Sequence, residues 1–119
     1  MARRQLRAAS ALSFLPLLVL LAFGGAGAAE GDPARGRALA IALCSRCHAV
    51  EATGASPLPA APPFRTLEER YPIESLAEGL AEGLVTGHAS MPEVHFEPEA
   101  IADFLAFLRG LQAPPGGRR

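Results

Sequence analysis

Two thiols and an imidazole stand within five residues of one another, in the run Cys44-Ser45-Arg46-Cys47-His48. Several chemistries use two cysteines at this spacing. A redox disulfide of the thioredoxin kind expects a strand–helix setting, but the Ala- and Leu-rich stretch Ala34 to Leu43 leads into Cys44 with no strand pattern around it. A structural zinc site needs four ligands, and the remaining histidines, His88 and His95, are not at finger-like spacing. A plain disulfide leaves the position of His48 a coincidence. Covalent attachment of c-type haem uses C-x-x-C-H. Each thiol adds to a porphyrin vinyl group, and two intervening residues let both sulfurs reach from one turn of chain. The adjacent imidazole then meets the iron as proximal ligand. The spacing predicts one covalent haem c on Cys44 and Cys47, with His48 on the metal.

A second axial ligand is then needed. Met91 is the one methionine beyond Met1, and it precedes Pro92 in a loop-like stretch, 43 residues after His48. A Met thioether paired with a His is the ligation of electron-transfer cytochromes, and it raises the potential relative to a second His. A lone Met is otherwise a good gap-filler in a core, so the Met-Pro context carries the assignment. His88 and His95 are the alternatives, each read as a surface loop histidine.

The N-terminus reads as an address. Arg3, Arg4 and Arg7 precede an apolar run from Ala11 to Phe23, and small residues follow to Ala29. Basic, apolar, then small is the order of a secretory signal peptide. Ala26-Gly27-Ala28 fits cleavage before Ala29, with cleavage before Glu30 nearly as good. The apolar run is short of the roughly 20 residues a membrane span needs, so an uncleaved anchor is the weaker reading. Residues 1–29 are therefore expected to be a signal peptide, and the mature domain, about 90 residues, to lie in an oxidising compartment. A domain of that size is marginal without extra support.

The elements that position the site read as helices. Asp32 is a good N-cap and Pro33 suits the first helical position, which starts a helix that runs into Cys44. Residues 49–63 form a loop, punctuated by Gly54, Pro57, Pro59, Pro62 and Pro63. Thr66 with Glu69 resembles a capping box for a short turn, Leu67 to Arg70. A third helix is expected from Glu74 to Thr86, with Leu76, Leu80, Leu84 and Val85 at helical spacing and Gly87 as C-cap. The last runs from near Pro98 to Leu111, with Ile101, Phe104, Leu105, Leu108 and Leu111 as one apolar stripe. Residues 113–119 are a Pro/Gly/Arg tail expected to be disordered.

The 119 residues allow one small domain. All 11 basic residues are Arg, and from residue 30 onward 8 of them face 12 acids. That balance argues against nucleic acid, which calls for a basic face. Two Cys cannot build a disulfide scaffold.

Over residues 31–112 the chain resembles the class I cytochromes c of the small bacterial type. The resemblance rests on Cys44 to His48, Ala61-Pro62-Pro63-Phe64, Ser90-Met91-Pro92 and the terminal helices. It implies an all-α fold: about four short helices and a Pro-rich loop wrapped around one haem, within a domain of residues 30–112. It also implies that a loop proline carbonyl accepts the His48 N–H, with Pro62 the best match and Pro63 the other. Phe64 is then expected to wall the haem, and Gly36 to meet Phe104 or Phe107 where the first and last helices cross. Ala40 stands where the family usually has an aromatic. There is no Trp or Lys near the haem edge, which leaves Arg65 or Tyr71 as candidates for the haem propionates.

The expected function is single-electron transfer between redox partners in the periplasm, with iron cycling between Fe(II) and Fe(III), and no enzymatic activity. Docking is expected to be transient and the chain monomeric, with no membrane attachment after signal cleavage. Two alternatives stand beside this reading. One is a peroxidase-like or gas-binding haem protein with an open or labile sixth position, for which His88 or His95 would be the distal group. The other is a fixed electron-transfer subunit of a periplasmic dehydrogenase.

Overall fold

The structure is a computed structural model and describes residues 30–85 and 88–112. The signal peptide, the C-terminal tail and the Gly87 cap expected from the sequence lie outside these residues. Among the described residues the fold is all-α: α1 (Pro33–Leu43), α2 (Leu76–Glu82) and α3 (Pro98–Leu111), with 3₁₀ turns at Phe64–Glu69 and Ile73–Ser75. The one extended pairing among them is an isolated antiparallel bridge between Leu84 and Val94. No helix of the described residues is long and apolar enough to cross a membrane.

The Asp32 carboxylate starts α1 by accepting from the N–H of Ala34 at 2.8 Å and of Arg35 at 3.4 Å. This satisfies two of the donors that a helix start leaves unpaired. The helix then packs across α3 at close range. A Cβ on Gly36 would run into the Asp103 backbone and stand 2.8 Å from the Phe107 Cβ, so the crossing needs a residue without a side chain. Phe107 is the aromatic at that point. Ala40, fully buried one turn on, shares the core with Phe104, Phe107 and Leu108.

A buried carboxylate ties the same two helices. Asp103, on α3 and 4% exposed, accepts from Arg35 Nε at 2.7 Å, from Arg35 Nη2 at 3.0 Å and from the Asp32 N–H at 2.6 Å. A buried carboxylate is tolerated when paired and hydrogen-bonded in this way. The Arg35 hydrogen bond, with that of Asp32, holds the Asp103 carboxyl below the usual carboxylate range.

The middle of the chain departs from two expectations. Thr66 does not cap a turn: its hydroxyl donates back to the Pro63 carbonyl at 2.9 Å, and the 3₁₀ turn already begins at Phe64. Pro63 in extended backbone ends the preceding loop and sets that start. The third helix stops at Glu82, four residues early, because Gly83 takes φ +104°, a conformation other residues rarely adopt. Leu84 turns away to donate its N–H to the Val94 carbonyl at 2.8 Å. Leu76 and Leu80 are buried, while Val85 is 75% exposed.

Candidate functional site

Cys44, the C-cap of α1, donates its N–H to the Ala40 carbonyl at 2.9 Å. The chain then coils once more: the Cys44 carbonyl accepts from Cys47 N at 3.1 Å and from His48 N at 2.9 Å. Both thiols and the imidazole thus sit on one turn. The cysteines are free thiols, half-buried. Burial, with the nearby Cys47, pushes the Cys44 thiol up to about 11. A dithiol redox centre works through a lowered thiol pKa, so this environment favours the thioether reading over thioredoxin-like chemistry.

His48 is oriented from behind. Its Nδ1–H donates to the Pro62 carbonyl at 2.8 Å. Pro62, not Pro63, is the acceptor. With the proton on Nδ1, the Nε2 lone pair is left for a metal. The loop is closed around this contact: Leu58 N–H reaches the Cys47 carbonyl at 3.1 Å, Ala49 N–H the Ser56 hydroxyl at 3.0 Å, and Phe64 N–H the Ala49 carbonyl at 2.9 Å. The Phe64 ring lies 5.0 Å from the imidazole. It also meets Phe104 edge-on at 5.9 Å, and Phe104 meets Phe96 at 5.4 Å. The last helix thereby fixes the position of the ligand turn.

These residues border a cavity of about 1000 Å³, at the upper end of the range for small-molecule sites, roughly 300–1,000 Å³. Cys44, Cys47, His48, Pro62, Phe64 and Met91 all line it. Leu67, Leu80, Phe96 and Phe104 supply apolar wall, and Met91 comes from the stretch of chain between Leu84 and Val94, the two partners of the bridge. A separate groove of about 500 Å³, beside Arg35 and Asp103, carries neither cysteine nor histidine.

Among the described residues, the charged residues of the lining are Arg46 and Arg70, with no carboxylate. Tyr71, Ser75 and Ser90 stand there as hydroxyls. Burial raises the Tyr71 phenol, against an opposing pull from Arg70, so it stays a neutral donor at ordinary pH. Of the two propionate candidates named from the sequence, Tyr71 borders the cavity and Arg65 does not. Arg65 instead has a buried Nη1 that meets no acceptor among the described residues. Sequence reasoning misses Arg46 and Arg70 because nothing in local spacing says which way an arginine faces. His88 borders the cavity and His95 does not.

The donor set fits haem c. Two thiols on one turn suit thioether attachment, an imidazole oriented through Nδ1 so that Nε2 is left free to ligate suits an iron bond, and a thioether borders the same apolar space. Two guanidinium groups with no facing carboxylate suit a ligand that carries carboxylates.

Residues 33–112 match the family described as Cytochrome c. No curated protein and no solved structure matches the chain.

Proposed function

We infer the function from one premise: the chain belongs to the cytochrome c family, and is thus a haem c electron-carrying protein. Within that family we read it as an exported carrier with a single haem, attached through Cys44 and Cys47 and ligated by His48 and Met91. The observation that carries the reading is the His48–Pro62 hydrogen bond, placed on the wall of the cavity that both cysteines and Met91 border. When bound, haem c supplies a one-electron Fe(II)/Fe(III) couple.

The protein's own residues account for the rest. Were both His48 and Met91 to ligate a bound haem iron, no position would be left for a substrate, which supports a carrier rather than an enzyme. Phe64, Leu67, Leu80, Phe96 and Phe104 would keep water from a metal bound there, and a dry surround disfavours the extra positive charge of the oxidised state. Arg46, Arg70 and Tyr71 offer partners for the propionates. Leu43, Leu58 and Val85 border the cavity while being 55%, 36% and 75% exposed. An apolar rim of this kind suits the small, weak interfaces of redox encounters. The acidic surplus of the mature chain points to partners with a basic or apolar patch, the charges setting the on-rate more than the affinity. The basic, apolar and small-residue order of residues 1–29 supports export to the periplasm, where haem attachment occurs.

A reduced-minus-oxidised spectrum of the exported holoprotein, repeated on Met91→Ala, tests the reading. Low-spin iron, the weak far-red sulfur-to-iron band and no carbon monoxide binding are expected of the native protein, with the band lost in the variant. High-spin native iron that binds carbon monoxide readily would overturn it.

A further inference from the structure

The cavity that Met91 borders is also bordered by a second residue of metal-binding type on the same short stretch, His88, which is exposed. His88 lies three residues before Met91, and the Met91 N–H donates to the His88 carbonyl at 3.0 Å. The two residues are therefore the ends of one four-residue turn, which keeps their Cα atoms within about 7 Å. On both sides this stretch is pinned to the body of the protein: Leu84 N–H to the Val94 carbonyl and Phe96 N–H to the Leu80 carbonyl, each at 2.8 Å.

The remaining donors are few. The sequence contains no Lys, and guanidinium groups keep their protons and do not ligate. The thiols of Cys44 and Cys47 are assigned to thioethers, and His48 holds the first axial position. Burial keeps the Tyr71 phenol protonated, which makes it a poor anionic ligand. His95, although only seven residues from His88, does not border the cavity. Imidazole is a good ligand for iron in its neutral form.

We propose that His88 is a reserve axial ligand: when the Met91 sulfur leaves the iron, the His88 imidazole takes its place. The exchange converts His/Met ligation into His/His and lowers the potential, because a second imidazole favours the oxidised metal where a thioether favours the reduced one. The carrier then holds low-spin iron and stays closed to small ligands, but no longer accepts electrons from donors matched to its native potential. A residue pair that could serve only packing gives no such behaviour.

The proposal rests on Met91 as the native sixth ligand. The test uses haem-loaded protein as exported: the native chain, Met91→Ala, Met91→Ala/His88→Ala and Met91→Ala/His95→Ala. Electron paramagnetic resonance of the oxidised form, carbon monoxide binding by the reduced form and a redox titration are recorded for each. Met91→Ala should show bis-imidazole low-spin iron, a lowered potential and little carbon monoxide binding. His88→Ala in that background should abolish the bis-imidazole signal and open the iron to carbon monoxide, whereas His95→Ala should change neither. High-spin iron in Met91→Ala, or a bis-imidazole signal that survives His88→Ala, would overturn the proposal. Should Met91→Ala not retain haem, Met91→Leu, which fills the same space without a donor atom, takes its place in every variant, and the same signals support or overturn the proposal. Absence of the far-red sulfur-to-iron band in the native protein is a separate result, which overturns the assignment of Met91 itself.

Discussion

The Pro62 carbonyl accepts the Nδ1–H of His48 at 2.8 Å. A backbone acceptor cannot be deleted by a side-chain change, but its position can be loosened. Proline fixes φ near −65°, so Pro62→Gly keeps the carbonyl and frees the chain that aims it. A less firmly held hydrogen bond makes the imidazole a weaker electron donor to the metal, which favours the reduced state. Pro62→Gly is therefore expected to raise the potential in a redox titration. It should also cost about 1 kcal/mol in thermal unfolding, through the greater freedom of the unfolded chain. A stability loss with an unchanged potential would show that Pro62 only stiffens the loop.

The Asp103 carboxyl is held below its ordinary value first by the Arg35 hydrogen bond and then by the Asp32 N–H. A carboxyl whose folded pKa is depressed adds stability that is fully present above its unfolded value, near 4. That stability is lost as pH falls through the lower folded value. Asp103→Asn is expected to lower the melting temperature at neutral pH and to have progressively less effect below about pH 4. Melting curves of both proteins across the acid range should converge. A constant offset down to the lowest pH would mean that ionisation of Asp103 contributes nothing.

The α1–α3 crossing gives a contrast between two glycines. A Cβ at Gly36 meets the Asp103 backbone and the Phe107 Cβ, while a Cβ at Gly110 meets nothing within 4 Å. Gly36→Ala should destabilise by about 1–3 kcal/mol through overpacking. Gly110→Ala, in an exposed helical position of α3, should stabilise by up to about 1 kcal/mol. Denaturant unfolding of the two holoproteins checks both signs.

How much of this was readable from the chain depends on range. The turn that carries Cys44, Cys47 and His48 is contiguous, so its chemistry is written in the spacing, and Met91 stands out by being the single methionine beyond Met1. The ends of α1 and α3 carry local signals, Asp32-Pro33 and Pro98, and the structure begins both helices there. The early end of α2 is different. Leu84 continues a helical stripe in sequence, yet its N–H is taken by Val94, a partner that no local pattern names. Likewise Arg46, Arg70 and His88 come from separate stretches of chain that only the fold brings to one cavity.

Val85 projects at the cavity border, 75% exposed. If the rim is the docking surface, two copies exchanging electrons must bring it together. Val85→Asp should leave stability within about 0.5 kcal/mol, as for surface changes elsewhere. It should slow electron self-exchange, measured by NMR line broadening in partly reduced samples, by adding like charge to both faces. The slowing should diminish at high salt, where such repulsion is screened. An unaltered rate would move the docking surface elsewhere.

The cavity also decides whether the chain can fold without its cofactor. At about 24 cal/mol per Å³, leaving 1000 Å³ unfilled would cost on the order of 20 kcal/mol. The space opens to water at its mouth, so that figure is an upper bound, yet even half of it rivals the whole 5–15 kcal/mol by which domains are stable. The walls cannot close the gap cheaply, because Phe64, Phe96 and Phe104 are already committed to one another edge-to-face. Cys44→Ala/Cys47→Ala, which removes covalent attachment while leaving every other wall residue in place, is therefore expected to yield an apo chain without a native core. Calorimetry of the haem-free variant should show no cooperative thermal transition, and near-ultraviolet circular dichroism no fixed aromatic signal. A sharp melting transition in that variant would show that the helices pack into a stable core by themselves and that the cavity is filled or collapsed at little cost.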